Sequence, residues 1–125
     1  MPLVPNVSYI KEPNDLQCGQ AVLAMLCGKS VDEIIEIVGT KRETTLKDMF
    51  LCLSHFDVAH NTQRVAANDK SQLPNVCILS LETPRCWHWS LYFKGVFYDP
   101  EHGVMDDFPA CNRKYYFEVF EERDV

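Results

Sequence analysis

The sequence predicts an α+β fold in which N-terminal helices pack on a four- to five-stranded, mostly antiparallel sheet. Two observations carry this reading. Residues 15–56 place apolar side chains at helical spacing between capping signals. Residues 57–122 instead break into short aromatic and β-branched runs divided by Pro, Gly, Asn and Asp. A length of 125 residues limits the chain to one domain, residues 1–125, which can bury a core without staples.

Residues 3–10 read as an extended arm punctuated by Pro2 and Pro5, and Pro13-Asn14-Asp15 as a turn. In "LQCGQAVLAMLCG", Ala21 and Ala24 favour helix, while Val22, Leu23, Met25 and Leu26 supply an apolar flank. Asp15 is expected to cap its start and Gly28 its end. Ser30 and Glu33 form a capping box for "VDEIIEIVG", which Gly39 closes. A third helix is expected from about Thr45, with Leu46, Met49, Phe50 and Leu53 on one face and Asp57 as its end. Strands are expected in "DVAHNTQRV", "NVCILSLE", "HWSLYF", "GVFYDP" and "KYYFEVFEE".

Charge and composition narrow the function classes. Eighteen acidic against 12 basic residues give a net charge of −6, and no Lys/Arg cluster exceeds a pair, so nucleic acid is not expected as a partner. No apolar run reaches the length of a membrane span, so no membrane insertion is expected. No basic start leads into an apolar stretch, so a cytoplasmic location is expected, with export by another route left open. Of the six cysteines, Cys27, Cys52 and Cys77 sit in apolar contexts and are expected as reduced, buried thiols. No Cys-x-x-Cys occurs, and Cys86 with His88 lacks a second pair at ligand spacing, so neither metal nor cofactor is expected.

The residues that draw attention are Cys18, His88 and Asp99. A thiol in the first turn of a helix lies near the positive end of the peptide dipoles, and Gly19 after it leaves room for an incoming carbonyl. A thiol nucleophile needs an imidazole within hydrogen-bond reach, and the imidazole needs a third group to hold its tautomer. His88 opens one strand and Asp99 closes the next. A turn at Lys94-Gly95 sets Asp99 opposite Leu91 or Tyr92, a diagonal neighbour of His88. The alternatives at this level are a packed thiol, a strand-end histidine satisfied by backbone and an Asp99-Pro100 turn opener. His102 reads as an exposed loop histidine, with a role replacing or assisting Asp99 as the alternative. Of Trp87 and Trp89, at least one is expected to join the core.

"NDLQCGQAVLAML" followed by "HWSLYFKGVFYDPEHG" resembles the papain-like cysteine peptidases, in particular the small double-glycine leader peptidases that process bacteriocins. The resemblance rests on Cys18-Gly19 opening an Ala/Leu/Met helix, His88 starting a strand, and Asp99-Pro100 closing the next with Gly103 soon after. It implies a papain-like fold and a Cys18–His88–Asp99 triad that hydrolyses peptide bonds or performs a related thiol acyl transfer such as deamidation. It also implies a peptide or protein substrate, and leaves open a cognate immunity or transporter partner and a toxin or effector role. The family usually carries a glutamine six residues before the cysteine as an oxyanion-hole donor. Here that position is Glu12, so the resemblance leaves three alternatives: Glu12 is held protonated, Gln17 or Asn14 substitutes as the oxyanion-hole donor, or the chain is shifted. An ionised carboxylate cannot donate a hydrogen bond. The alternative function is therefore a catalytically weakened module that binds a peptide or partner protein without turnover.

Overall fold

Helix α1 (Cys18–Cys27) is buried along its whole length from Gly19 to Leu26, which is why its sequence carries no charged face. It lies between the sheet and two further helices, α2 (Val31–Val38) and α3 (Leu46–His55). The computed structural model describes residues 6–121; Pro2, Pro5 and Glu122, the last residue of the expected final strand, lie outside them. Both outer helices start at complete capping boxes, Ser30 with Glu33 and Thr45 with Asp48, which satisfy first-turn N–H groups that would otherwise lack partners. Left-handed Gly28 and Gly39 end α1 and α2. The third helix stops at His55, and Asp57 follows with a positive φ of 57°.

The sheet has six strands where four to five are expected, in the order β1-β6-β2-β3-β4-β5, and every neighbouring pair is antiparallel. They are β1 (Val65–Ala66), β2 (Val76–Glu82), β3 (Trp87–Phe93), β4 (Val96–Asp99), β5 (Gly103–Met105) and β6 (Arg113–Glu118). The expected strand in "DVAHNTQRV" is reduced to part of β1 and a single bridge between His60 and Val119. The unexpected strand, β5, is a three-residue return along β4.

Two apolar layers enclose the sheet. Val76, Ile78, Leu91, Phe93 and Val119 join the helices on one face. Cys77, Leu79, Leu81, Tyr92 and Phe97 point the other way, against Leu73, Met105, Phe108 and Cys111. Because both faces are covered, β2 reads as a nearly unbroken apolar run rather than an alternation. Among the described residues, no helix is long and apolar enough to cross a membrane.

Candidate active site

The start of α1 is set by Asn14, not by Asp15. The Asn14 side-chain oxygen accepts from Leu16 N at 2.9 Å and its carbonyl from Gln17 N at 3.2 Å, so the chain turns once more and the cap position falls on Gln17. Gln17 makes no side-chain cap, and the first turn contains no acidic residue. Cys18 is therefore the first helical residue, beside amide groups that no side chain satisfies and at the positive end of the helix. Its sulfur is partly exposed and accepts a hydrogen bond from the Trp89 backbone N–H at 3.5 Å, which ties the helix start to β3.

Gly19 has a packing reason. A Cβ at this position would lie 1.9 Å from Thr44 Oγ1 and 3.1 Å from Trp89 Cδ1. The absent side chain lets the first turn of α1 sit directly on the loop before α3, which accounts for the glycine without an incoming carbonyl. Gln17 is buried and its amide donates to the Lys41 carbonyl at 3.0 Å, so this oxyanion-hole candidate is engaged with the α2–α3 loop. Gln20 holds the same loop through the carbonyls of Thr40 and Arg42.

His88 and Asp99 meet through the sheet. The register pairs Phe93 with Val96 and Leu91 with Tyr98, so the next step sets Asp99 against Ser90, correcting the expected partner of Leu91 or Tyr92. Ser90 and His88 are two residues apart on one strand and share a face. The result is a buried cluster. His88 Nε2 lies 3.1 and 3.0 Å from the two Asp99 oxygens, and Ser90 Oγ donates to Asp99 Oδ2 at 2.8 Å. Backbone N–H groups of Glu101 and His102 donate to Oδ1, each at 3.0 Å. The ring of His102, exposed on the loop after β4, places Nδ1 3.0 Å from the same oxygen, the position of the alternative in which it assists Asp99.

These contacts decide the protonation states. Burial raises the Asp99 carboxyl, but the hydrogen bonds and charge of His88, with Ser90 and the His102 amide, outweigh it and hold the group well below its ordinary value. Burial likewise disfavours a charged imidazole. The hydrogen bonds and charge of Asp99, with the nearby Cys18 thiol adding to them, override that and lift it to about 10. With Nε2 committed to Asp99, Nδ1 is the nitrogen left to meet the Cys18 sulfur.

The N-terminal arm closes the cluster from the outside. Tyr9 donates its hydroxyl to the Asp99 carbonyl at 2.6 Å, and Glu12 N donates to the Pro100 carbonyl at 2.9 Å. Sequence periodicity cannot show these contacts, because the arm carries no regular element. Glu12 is buried, and its Oε1 has no hydrogen-bond partner in the protein.

Cys18, His88 and Glu12 open into a cleft of about 550 Å³. Thr44 and Leu46 form one wall, Arg85, Cys86 and Trp87 another, and Trp89 and Phe117 also line it. Trp87 is half exposed beside Tyr115 and Arg113, whereas Trp89 packs against the helix-side core. One ligand atom each from His88, Asp99 and His102 lie within 4.8 Å of one another, a set able to hold a metal ion, although the same atoms already hydrogen-bond through Asp99.

No protein-family model matches the chain, and no curated protein matches it.

Proposed function

We propose that the chain is a thiol acyl-transfer enzyme, and within that class a cysteine peptidase of papain-like type with Cys18, His88 and Asp99 as its triad. The observation that carries this is the His88 ring, held by a fully buried carboxylate on one side and acted on by the Cys18 thiol on the other, at the edge of an open cleft. His88, raised to about 10, holds the proton of the Cys18–His88 pair, so the sulfur attacks a carbonyl carbon as the thiolate and the imidazolium gives its proton to the leaving amine. Water then enters and His88 removes its proton, releasing the acid and restoring the thiol. Asp99 fixes the ring so that Nδ1 faces the sulfur. The Cys18 backbone N–H, at a helix start with no side-chain cap, donates to the oxygen that becomes negative in this reading.

A mixture of peptidyl coumarylamides tests this reading, with p-nitrophenyl acetate as a more activated acyl donor. Turnover is expected, and it should stop once Cys18 has been blocked by iodoacetamide. Turnover that survives complete blocking of Cys18, or no reaction with either donor, contradicts the assignment. Binding without turnover is the second reading, favoured by the carboxyl of Glu12 at the cleft.

A further inference from the structure

We propose that Glu12 works as a neutral carboxylic acid, donating its O–H to the carbonyl oxygen of an acyl group under attack by Cys18. The inference rests on the thiol acyl-transfer reading and assigns its second oxyanion donor. Three observations carry it. Glu12 is 8% exposed, yet it lines the cleft that Cys18 and His88 share. Its backbone N–H is bonded to the Pro100 carbonyl, which holds the residue beside Asp99. And Oε1 is buried with no donor from the protein, whereas Asp99 nearby receives bonds from Ser90, His88 and two backbone amides.

The contrast between the two carboxyls is the argument. A buried carboxylate is stable when donors surround it, as at Asp99, and costly when they do not, as at Glu12. The groups acting on Glu12 are His88 from β3, Asp99 and Glu101 at the end of β4, and Asp15 and Tyr9 from the arm. Arg85 on the cleft wall is already paired with Glu101 at 2.9 Å. Burial pushes the Glu12 carboxyl up; His88 opposes this, and Glu101, Asp15 and Asp99 add to it. The neutral form thus persists above the ordinary carboxyl range, and its O–H needs an acceptor that an acyl oxygen in the cleft can provide.

With p-nitrophenyl acetate the step balances without a further reactant. The Cys18 sulfur bonds to the acyl carbon, and the carbonyl π pair moves onto oxygen, where the Glu12 O–H and the Cys18 N–H hold it. That pair returns as the bond to p-nitrophenolate breaks, leaving an acetyl thioester and a proton on His88. Glu12 donates a hydrogen bond throughout and keeps its proton. As pH rises through the raised Glu12 value, the donor is lost and a negative charge replaces it.

Two reactions of Cys18, measured on the intact chain by mass spectrometry, test this. Acetylation by p-nitrophenyl acetate develops an oxyanion; alkylation by iodoacetamide does not. In the wild type the ratio of acetylation to alkylation rates should fall as pH rises above the acid range. In Glu12→Gln, which keeps the shape and a donor, the ratio should stay level and exceed the wild-type ratio at the alkaline end by about 10²–10³. Superimposable profiles overturn the role of Glu12 while leaving the nucleophile standing. Wild-type Cys18 that reacts with neither reagent faster than exposed Cys86 overturns the acyl-transfer reading itself.

Discussion

Asp99→Asn should slow acylation of Cys18 by about 10⁴, the scale seen when an orienting carboxylate becomes an amide. The geometry gives the reason. The Glu101 and His102 amides both donate to Oδ1, so an asparagine keeps its carbonyl there and turns its NH₂ toward Ser90 and His88. His88 Nε2 then has to accept, and the ring proton moves to Nδ1, the nitrogen needed to receive the thiol proton. The imidazole value should also drop from about 10 toward or below 6.5, because burial then acts without a compensating charge. The same contacts set stability against pH. His88 is raised in the fold, so its contribution is complete below about 6.5 and is lost as pH rises through about 10. Asp99 is depressed, so its contribution is present above about 3.8 and is lost as pH falls through its lowered value. Ring-proton titration of His88 and the thermal midpoint across that range check both statements. A variant with near-normal acylation and an unchanged His88 titration would mean that Asp99 has no orienting role.

Phe97→Ala should cost about 3–5 kcal/mol of stability, the largest single loss expected among the described core positions. Phe97 is fully buried on β4, two residues before Asp99, with ring centroids 4.9 Å from both Tyr92 and Phe108. This layer, on the face away from the three α-helices, is closed by a single 3-10 turn at Lys70–Gln72 and by loops. Lys70 Nζ clamps two of them by donating to the Asp106 carbonyl at 3.1 Å. Loops tethered in this way collapse poorly into a void, so the cavity term adds to the lost transfer energy. Urea unfolding measures the difference. A loss below about 1 kcal/mol would show that the second layer is not packed as described.

What the sequence displayed and what it concealed follow from the range of the interactions. The Ser30–Glu33 capping box, the helix-ending Gly28 and Gly39 and strands β2, β3, β4 and β6 were legible because each depends on residues within one turn or on alternation along one segment, whereas the Thr45–Asp48 box was not, because Asp stands where the pattern has Glu or Gln. Asp15 was misplaced as a cap because Asp and Asn compete at adjacent positions, and Asn14 wins by binding Leu16 N. Strands β1 and β5 are two and three residues long, too short to carry a period. The hairpin was legible, but the partner of Asp99 was off by at least one position, and that position is Ser90, a member of the cluster. Tyr9 and the burial of Glu12 were concealed, since an arm with no regular pattern brings them to Asp99 and the cleft.

Six free cysteines make site-selective chemistry the sharpest measurement of whether Cys18, His88 and Asp99 act as one unit. The intact chain is treated with p-nitrophenyl acetate near neutral pH and the acetyl group is mapped by peptide mass spectrometry. Proximity of a raised imidazole to one thiol predicts an adduct confined to Cys18, slowed by about 10³ or more in His88→Ala, with Cys86 unmodified although it is exposed. An adduct on Cys86 or Cys111 at a rate equal to that on Cys18, or acetylation of Cys18 that is indifferent to His88, would contradict it.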